Sequence, residues 1–258
     1  MRFGSSISES TRMAILYTDL METNGRILTL FPVNLLLLIK LFLHQTAQRG
    51  SQVILNGHGI NHDITRYKRN LMKTALLIID IQKDYFEGGK YPLVNPLEAA
   101  KNAYMLLQCF REHNGQHIHI QHISLKPDAA FFVKGDSGSD IHDSVAHFEH
   151  EPIVYKHYPN SFRETNLLEL LKEWGVERVV ICGMMTHMCV DATARAAGDL
   201  GFQVIVAEDA CATRDLKYGE TTIPAEHVHK AFLAALGSYG KVMKSEDVIA
   251  LLAAEMAK

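Results

Sequence analysis

Three residues of this 258-residue chain stand where side chains can do chemistry: Asp80, Lys156 and Cys189. Cys189 lies in Val179-Val180-Ile181-Cys182-Gly183-Met184-Met185-Thr186-His187-Met188-Cys189-Val190. The β-branched run reads as a buried strand, Gly183 ends it, and Thr186 is placed to cap a helix holding Cys189 in its first turn. Free N–H groups and the dipole there favour an anion, so the spacing predicts a thiol that ionises more readily than a free one. Asp80 follows the apolar run Ala75-Leu76-Leu77-Ile78-Ile79. That places a partly desolvated carboxylate at the C-terminal end of a buried strand, the edge where open α/β sheets bind ligands. Lys156 ends the short run Ile153-Val154-Tyr155-Lys156. Brought to one sheet edge, the three supply a base, a cation and a nucleophile.

The elements that must carry them alternate along the chain. Strands are expected at 74–80, 117–123, 153–156, 178–182 and 203–207, with a short last one around Val242. Helices are expected at 95–114, 165–174, 186–200 (ended by Gly201), 224–236 and 245–256. Pro96 suits an early helical position, and Ser245 a cap with Asp247 nearby. Residues 125–151 show no clear element, and an excursion of that length is usually functional or mobile. The alternation predicts a three-layer α-β-α, Rossmann-like fold with a central, mainly parallel sheet and right-handed crossovers.

Composition bounds the rest. At 47% hydrophobic, 21% charged and a formal charge of −3, the chain reads as a soluble globular domain with an extension. Its acidic balance and lack of basic runs argue against a nucleic-acid partner. Cys109, Cys182, Cys189 and Cys211 show no Cys-x-x-Cys spacing, which points away from a disulfide scaffold and towards the cytoplasm. Residues 27–43 are very apolar but short for a membrane span, and Pro32, Asn34 and Lys40 interrupt them. They lie too deep for a signal peptide. Three readings fit residues 1–71: a membrane-associating extension, an appended helix, or sequence upstream of the natural start. Met72-Lys73-Thr74-Ala75 resembles an ordinary protein opening and favours the last. The catalytic domain is expected at 72–258.

Four landmarks in order carry a family resemblance: Ile78-Ile79-Asp80-Ile81-Gln82 with Phe86; Lys156 with Ser161-Phe162; Gly183 to Val190; and Glu208-Asp209-Ala210-Cys211-Ala212-Thr213. From about Lys73 onward the chain resembles the isochorismatase-like cysteine hydrolases, a superfamily including nicotinamidases, N-carbamoylsarcosine amidohydrolases and streptothricin hydrolases. The resemblance implies Asp80, Lys156 and Cys189 as catalytic triad. It also implies a cis peptide between Met184 and Met185, and the N–H groups of Met185 and Cys189 as oxyanion hole. Gly183-Met184-Met185-Thr186-His187-Met188-Cys189 is closest in wording to the branch near streptothricin hydrolase.

Around the triad, Gln82, Phe86, Tyr158, Phe162 and His187 are candidates for the substrate pocket, although aromatics are more often plain core. Tyr85, Phe131 and Phe132 share that ambiguity. Cys182 and Cys211 read as packing, and Asp84 as a loop carboxylate outside the triad. Nicotinamidases carry an Asp-x-His pair after the second strand, and Gln121-His122-Ile123-Ser124-Leu125-Lys126-Pro127 lacks it. His117 and His119 share a strand face with no carboxylate at ligand spacing, while His142, His147 and His150 read as solvated. No metal and no cofactor are therefore expected, and nicotinamide is disfavoured as substrate. Relatives that hydrolyse the vinyl ether of isochorismate generally lack the cysteine, so its presence favours C–N hydrolysis of a small amide, lactam, imide or ureido compound. The alternatives are that vinyl-ether reaction, or a non-catalytic binding module. Phosphate-cradling glycine loops are missing after the first strand. Beyond the substrate, a homodimer or homotetramer is expected, with no nucleic acid and no membrane as partner.

Overall fold

A computed structural model describes residues 72–126 and 128–257. The extension expected at 1–71, with its apolar stretch at 27–43, lies outside the described residues.

Strand β1 (Thr74–Ile79) is buried from Ala75 onward, as its uninterrupted apolar run requires of a strand covered on both faces. It pairs in parallel with β2 (Gln116–His122) on one side and β4 (Arg178–Met184) on the other. With β3 (Ile153–Lys156), β5 (Gln203–Ala212) and β8 (Lys241–Met243) they form a six-stranded sheet, ordered β3-β2-β1-β4-β5-β8, every pairing parallel. Alternation along the strands then makes two cores. Leu76, Ile78, Val180 and Cys182 face one way, with Ala99, Ala103 and Leu107 of α1 (Pro96–Glu112) and Val248 of α5 (Ser245–Met256). Leu77, Ile79, Val179 and Ile181 face the other, against α2 (Leu167–Glu173), α3 (Asp191–Asp199) and α4 (Ala225–Leu236). Each large apolar side chain so buried contributes about 1.5–3 kcal/mol. This is the expected three-layer, mainly parallel fold.

Several local expectations are corrected. β5 runs five residues past its expected end at Ala207, straight through Glu208 and Asp209. Ladder pairing with β4 resumes beyond the two acids, Gly183 with Cys211 and Met184 with Ala212, after a register shift that leaves Glu208 and Asp209 without a β4 partner. Asp209 is used: its carboxylate accepts the backbone N–H of Ser245 at 2.8 Å and its hydroxyl as well. A distant carboxylate thus holds the start of α5, where Ser245 was expected to cap by its own side chain. A hairpin, β6 (Leu216–Tyr218) with β7 (Thr221–Ile223), went unpredicted. Its signal is the two-residue turn Gly219-Glu220, with Gly219 at φ +59°.

Residues 128–152 include two short 3₁₀ turns, Ser137–Ser139 and Asp143–Val145. Arg111 of α1 anchors the far end, giving Glu151 two hydrogen bonds of 2.7 Å. Glu151 also meets His117 Nε2 at 2.8 Å and lies 3.7 Å from His119 Nε2. A carboxylate therefore does join these two histidines, supplied from a remote segment that spacing could not reveal, and Arg111 already compensates its charge. Burial tends to raise the Glu151 pKa, but Arg111, the Phe148 N–H and His117 bring it down to about 2. His142 is also less solvated than expected, its ring stacked on Phe86 at 3.6 Å.

Gly183 has φ +129°, and a Cβ there would lie 1.9 Å from the Ile79 carbonyl oxygen. Gly183→Ala must push β4 off β1, and a loss of about 3 kcal/mol or more is expected in urea denaturation. Burial pushes the His119 imidazole down to about 4, against the pull of Glu151. The unfolded chain therefore takes up that proton first, so stability falls as pH drops from about 6.5 towards 4. His119→Leu should remove about 2–3 kcal/mol of this acid loss, measured as the difference between pH 7 and pH 4.

Candidate active site

At the carboxyl edge of the sheet, β1, β2 and β3 end side by side. Strict alternation would turn the side chain after Ile79 to the opposite face. Asp80 instead has φ +50°, a left-handed conformation that aspartate tolerates better than most residues. Its fully buried carboxylate lies against Lys156, with Nζ 2.7 Å from Oδ2. Lys156 shares the sheet face of Val154, is itself fully buried, and also donates to the Tyr158 carbonyl at 3.2 Å. Burial alone would lower its pKa, but Asp80 and then Cys189 outweigh that and leave it raised. Lys156 is thus a buried ammonium ion.

Cys189 sits above this pair. Its sulfur, an Asp80 oxygen and a ring nitrogen of His122 all lie within 4.8 Å of one another. The backbone here is one π-helical turn, Thr186–Val190, leading into α3, rather than a regular helix start. Thr186 does not cap it: its hydroxyl donates to the Ala212 carbonyl at 3.2 Å and shares a hydrogen bond with His229 Nδ1. The peptide between Met184 and Met185 is cis. Burial pushes the Cys189 thiol pKa up, the Asp80 carboxylate pushes it further, and Lys156 opposes both without cancelling them. The expectation of a readily ionised thiol is therefore corrected: desolvation beside a carboxylate outweighs the cation and leaves the thiol's pKa raised.

His122 is the residue that sequence reasoning passed over. It ends β2, and Nδ1 lies 3.2 Å from Lys156 Nζ and 4.0 Å from Asp80 Oδ2. Burial takes its pKa down to about 4; Asp80 pulls it up, and Lys156 and His157 push it down. The imidazole is neutral, and since an ammonium only donates, Nδ1 must accept. The available signal was position, a polar residue closing a central strand at the edge where Asp80 closes its neighbour. Asp80, His122 and Cys189 are also the one group, among the described residues, spaced to hold a metal ion. The Lys156 ammonium already supplies positive charge between them.

The pocket candidates divide. Gln82 is fully buried and braces the ends of β1 and β2. Its amide nitrogen donates to the carbonyls of His122 and Ser139, and its oxygen accepts the His122 N–H. Asp84 accepts the N–H groups of Lys90 and Phe132 and so clamps the loop. Phe86 is buried, Tyr158 lies under the Arg163 guanidinium, and Phe162 stacks on Phe202 at the margin of the second core. His187 is half-buried, bonded to Thr213 Oγ1 at 2.6 Å. Tyr85, Phe131 and Phe132 form one aromatic cluster under the loop. Burial and then the nearby Cys189 and Asp80 raise the Tyr85 phenol pKa, so it stays neutral. Ser161 ties the loop after β3 to α3, its N–H and hydroxyl both meeting Thr193 Oγ1. Cys182 and Cys211 are buried with free thiols, as packing residues should be.

Comparison with known proteins shows the family. Residues 74–247 match the isochorismatase domain. The isochorismatase family protein YddQ of Bacillus subtilis is 50% identical over 68% of this chain and 98% of its own length. A streptothricin hydrolase of Streptomyces noursei is 28% identical over 71% of the chain and 66% of its own length. The crystal structure of an isochorismatase from Pseudomonas putida KT2440 superposes with a TM-score of 0.64 at 32% identity, covering 68% of this chain and 90% of that one. The chain belongs to the isochorismatase family of hydrolases.

Proposed function

We propose that this hydrolase uses Cys189 to open the C–N bond of a small amide, lactam, imide or ureido compound through a thioester. The observation carrying the reading is the convergence of three groups: a thiol, a carboxylate within 4.8 Å of it, and a buried ammonium 2.7 Å from that carboxylate. As the substrate carbonyl approaches, Asp80 takes the thiol proton and the sulfur attacks carbon. Lys156 balances the negative charge while it passes from carboxylate to sulfur. The N–H groups of Met185 and Cys189 hold the oxyanion, a single such donor being worth about 2.7–4 kcal/mol in hydrolases. Asp80 returns its proton to the leaving nitrogen, and the C–N bond breaks. Water then attacks the thioester, Asp80 takes a water proton, and the sulfur leaves with it as the thiol. The acid and the amine or ammonia depart.

The streptothricin hydrolase relative supports a hydrolytic reaction of this class without naming the substrate here. We place the catalytic unit at 72–258 and its substrate-selecting wall in the 125–151 excursion, which meets β1 and β2 through Gln82. Four free cysteines support a cytoplasmic location. Among the described residues, no helix is long and apolar enough to cross a membrane. Leu97 and Tyr104, exposed on α1, are apolar surface suited to a homodimer or homotetramer, which light scattering would detect.

Cys189→Ala should cut amine release from a panel of amides, lactams and ureas at least about a thousandfold. Turnover of isochorismate by both proteins alike would establish the vinyl-ether reaction instead. Because the thiol holds its proton at rest, iodoacetamide should alkylate Cys189 at pH 7 more slowly than free cysteine, accelerating as pH rises. Mass spectrometry of the modified peptide reads the rate, and alkylation faster than free cysteine would rule out proton transfer during attack.

A further inference from the structure

The geometry points to His122 as a positioning residue that aims the Lys156 ammonium at Asp80 and Cys189. This rests on the reading of those three as the working triad.

An ammonium at the end of a four-carbon chain is a mobile point charge unless its protons are directed. Around Lys156 Nζ the structure supplies three partners: Asp80 Oδ2 in ion-pair contact at 2.7 Å, and as acceptors His122 Nδ1 at 3.2 Å and the Tyr158 carbonyl at 3.2 Å. Two of them, His122 and Tyr158, carry no charge. They direct the ammonium without competing with sulfur for its positive charge, which a further carboxylate would do. His122 is itself held: its N–H donates to Gln82 Oε1 at 2.8 Å and its carbonyl accepts from Gln82 Nε2 at 2.9 Å. The same glutamine reaches the Ser139 carbonyl at 2.7 Å. The chain of contacts therefore runs from the covering loop through Gln82 and His122 to Lys156. With Nδ1 accepting, the ring proton resides on Nε2, so the imidazole is fixed in one tautomer. Removing the ring leaves one ammonium proton undirected in a water-poor site, and Lys156 is free to swing from the sulfur.

The test compares wild type, His122→Ala and His122→Asn, whose side-chain oxygen replaces Nδ1 as acceptor. The first measurement is iodoacetamide alkylation of Cys189 at pH 9, which needs no substrate. His122→Ala should react about tenfold more slowly, and His122→Asn within about threefold of wild type, since a positioned charge next to the thiol governs its reactivity. An unchanged or faster rate in His122→Ala, or an asparagine variant as slow as alanine, overturns the assignment. Thermal melts confirm that both variants are folded, and if alanine unfolds the protein, His122→Gln takes its place, its longer side chain moving the acceptor away from Nδ1. On any amide the enzyme turns over, kcat should fall about tenfold in His122→Ala with KM changed less than twofold. A wild type that releases no amine from any amide would sink the hydrolase reading, while the alkylation rates still decide the role of His122.

Discussion

A lysine ammonium and an aspartate carboxylate, both stripped of water, meet at 2.7 Å under the sulfur of Cys189. Taking two charges out of water costs several kcal/mol per ion, and attraction offsets this only if geometry is held tightly. The other features of the site follow from this constraint. With one cation and one anion already balanced, a resting thiolate would add a second anion beside Asp80 with no water to solvate it. Burial and the Asp80 charge therefore raise the pKa of the thiol.

Holding the pair in place is the work of side chains that do no chemistry. Gln82 locks the end of β1 to the end of β2, using all of its amide on backbone groups. Thr193 locks α3 to the loop after β3 through Ser161. Thr186 locks the π turn to the end of β5 and to α4. Each bond is worth about 0.5–1.5 kcal/mol, but in a buried setting an unmade one costs more. Gly183 adds the last condition, because only a residue without Cβ lets β4 lie close enough to β1 for their two ends to share a site.

Much of the fold was legible in order along the chain. Apolar runs of strand length, alternating with helical patterns, led directly to a parallel sheet between two helix layers. Asp80 and Lys156 were visible because each breaks an apolar run at its C-terminal end, and topology collects such ends on one edge. Features that depend on another segment were not visible. Glu151 approaches His117 and His119 from more than thirty residues away along the chain, Asp209 reaches α5 from β5, and β5 continues past two acids because pairing with β4 resumes beyond them.

The amino-acid sequence by itself determined the layer architecture, the strand ends that carry Asp80 and Lys156, and the loop that carries Cys189. Hydrophobic period and turn residues are local, and they suffice for that. Only the tertiary structure decided that burial raises the pKa of the thiol, that His122 lies beside the lysine, and that Gln82 ties the end of β1 to the end of β2. These depend on desolvation and on donors and acceptors arriving from separate strands, and neither is written in the spacing of residues along one.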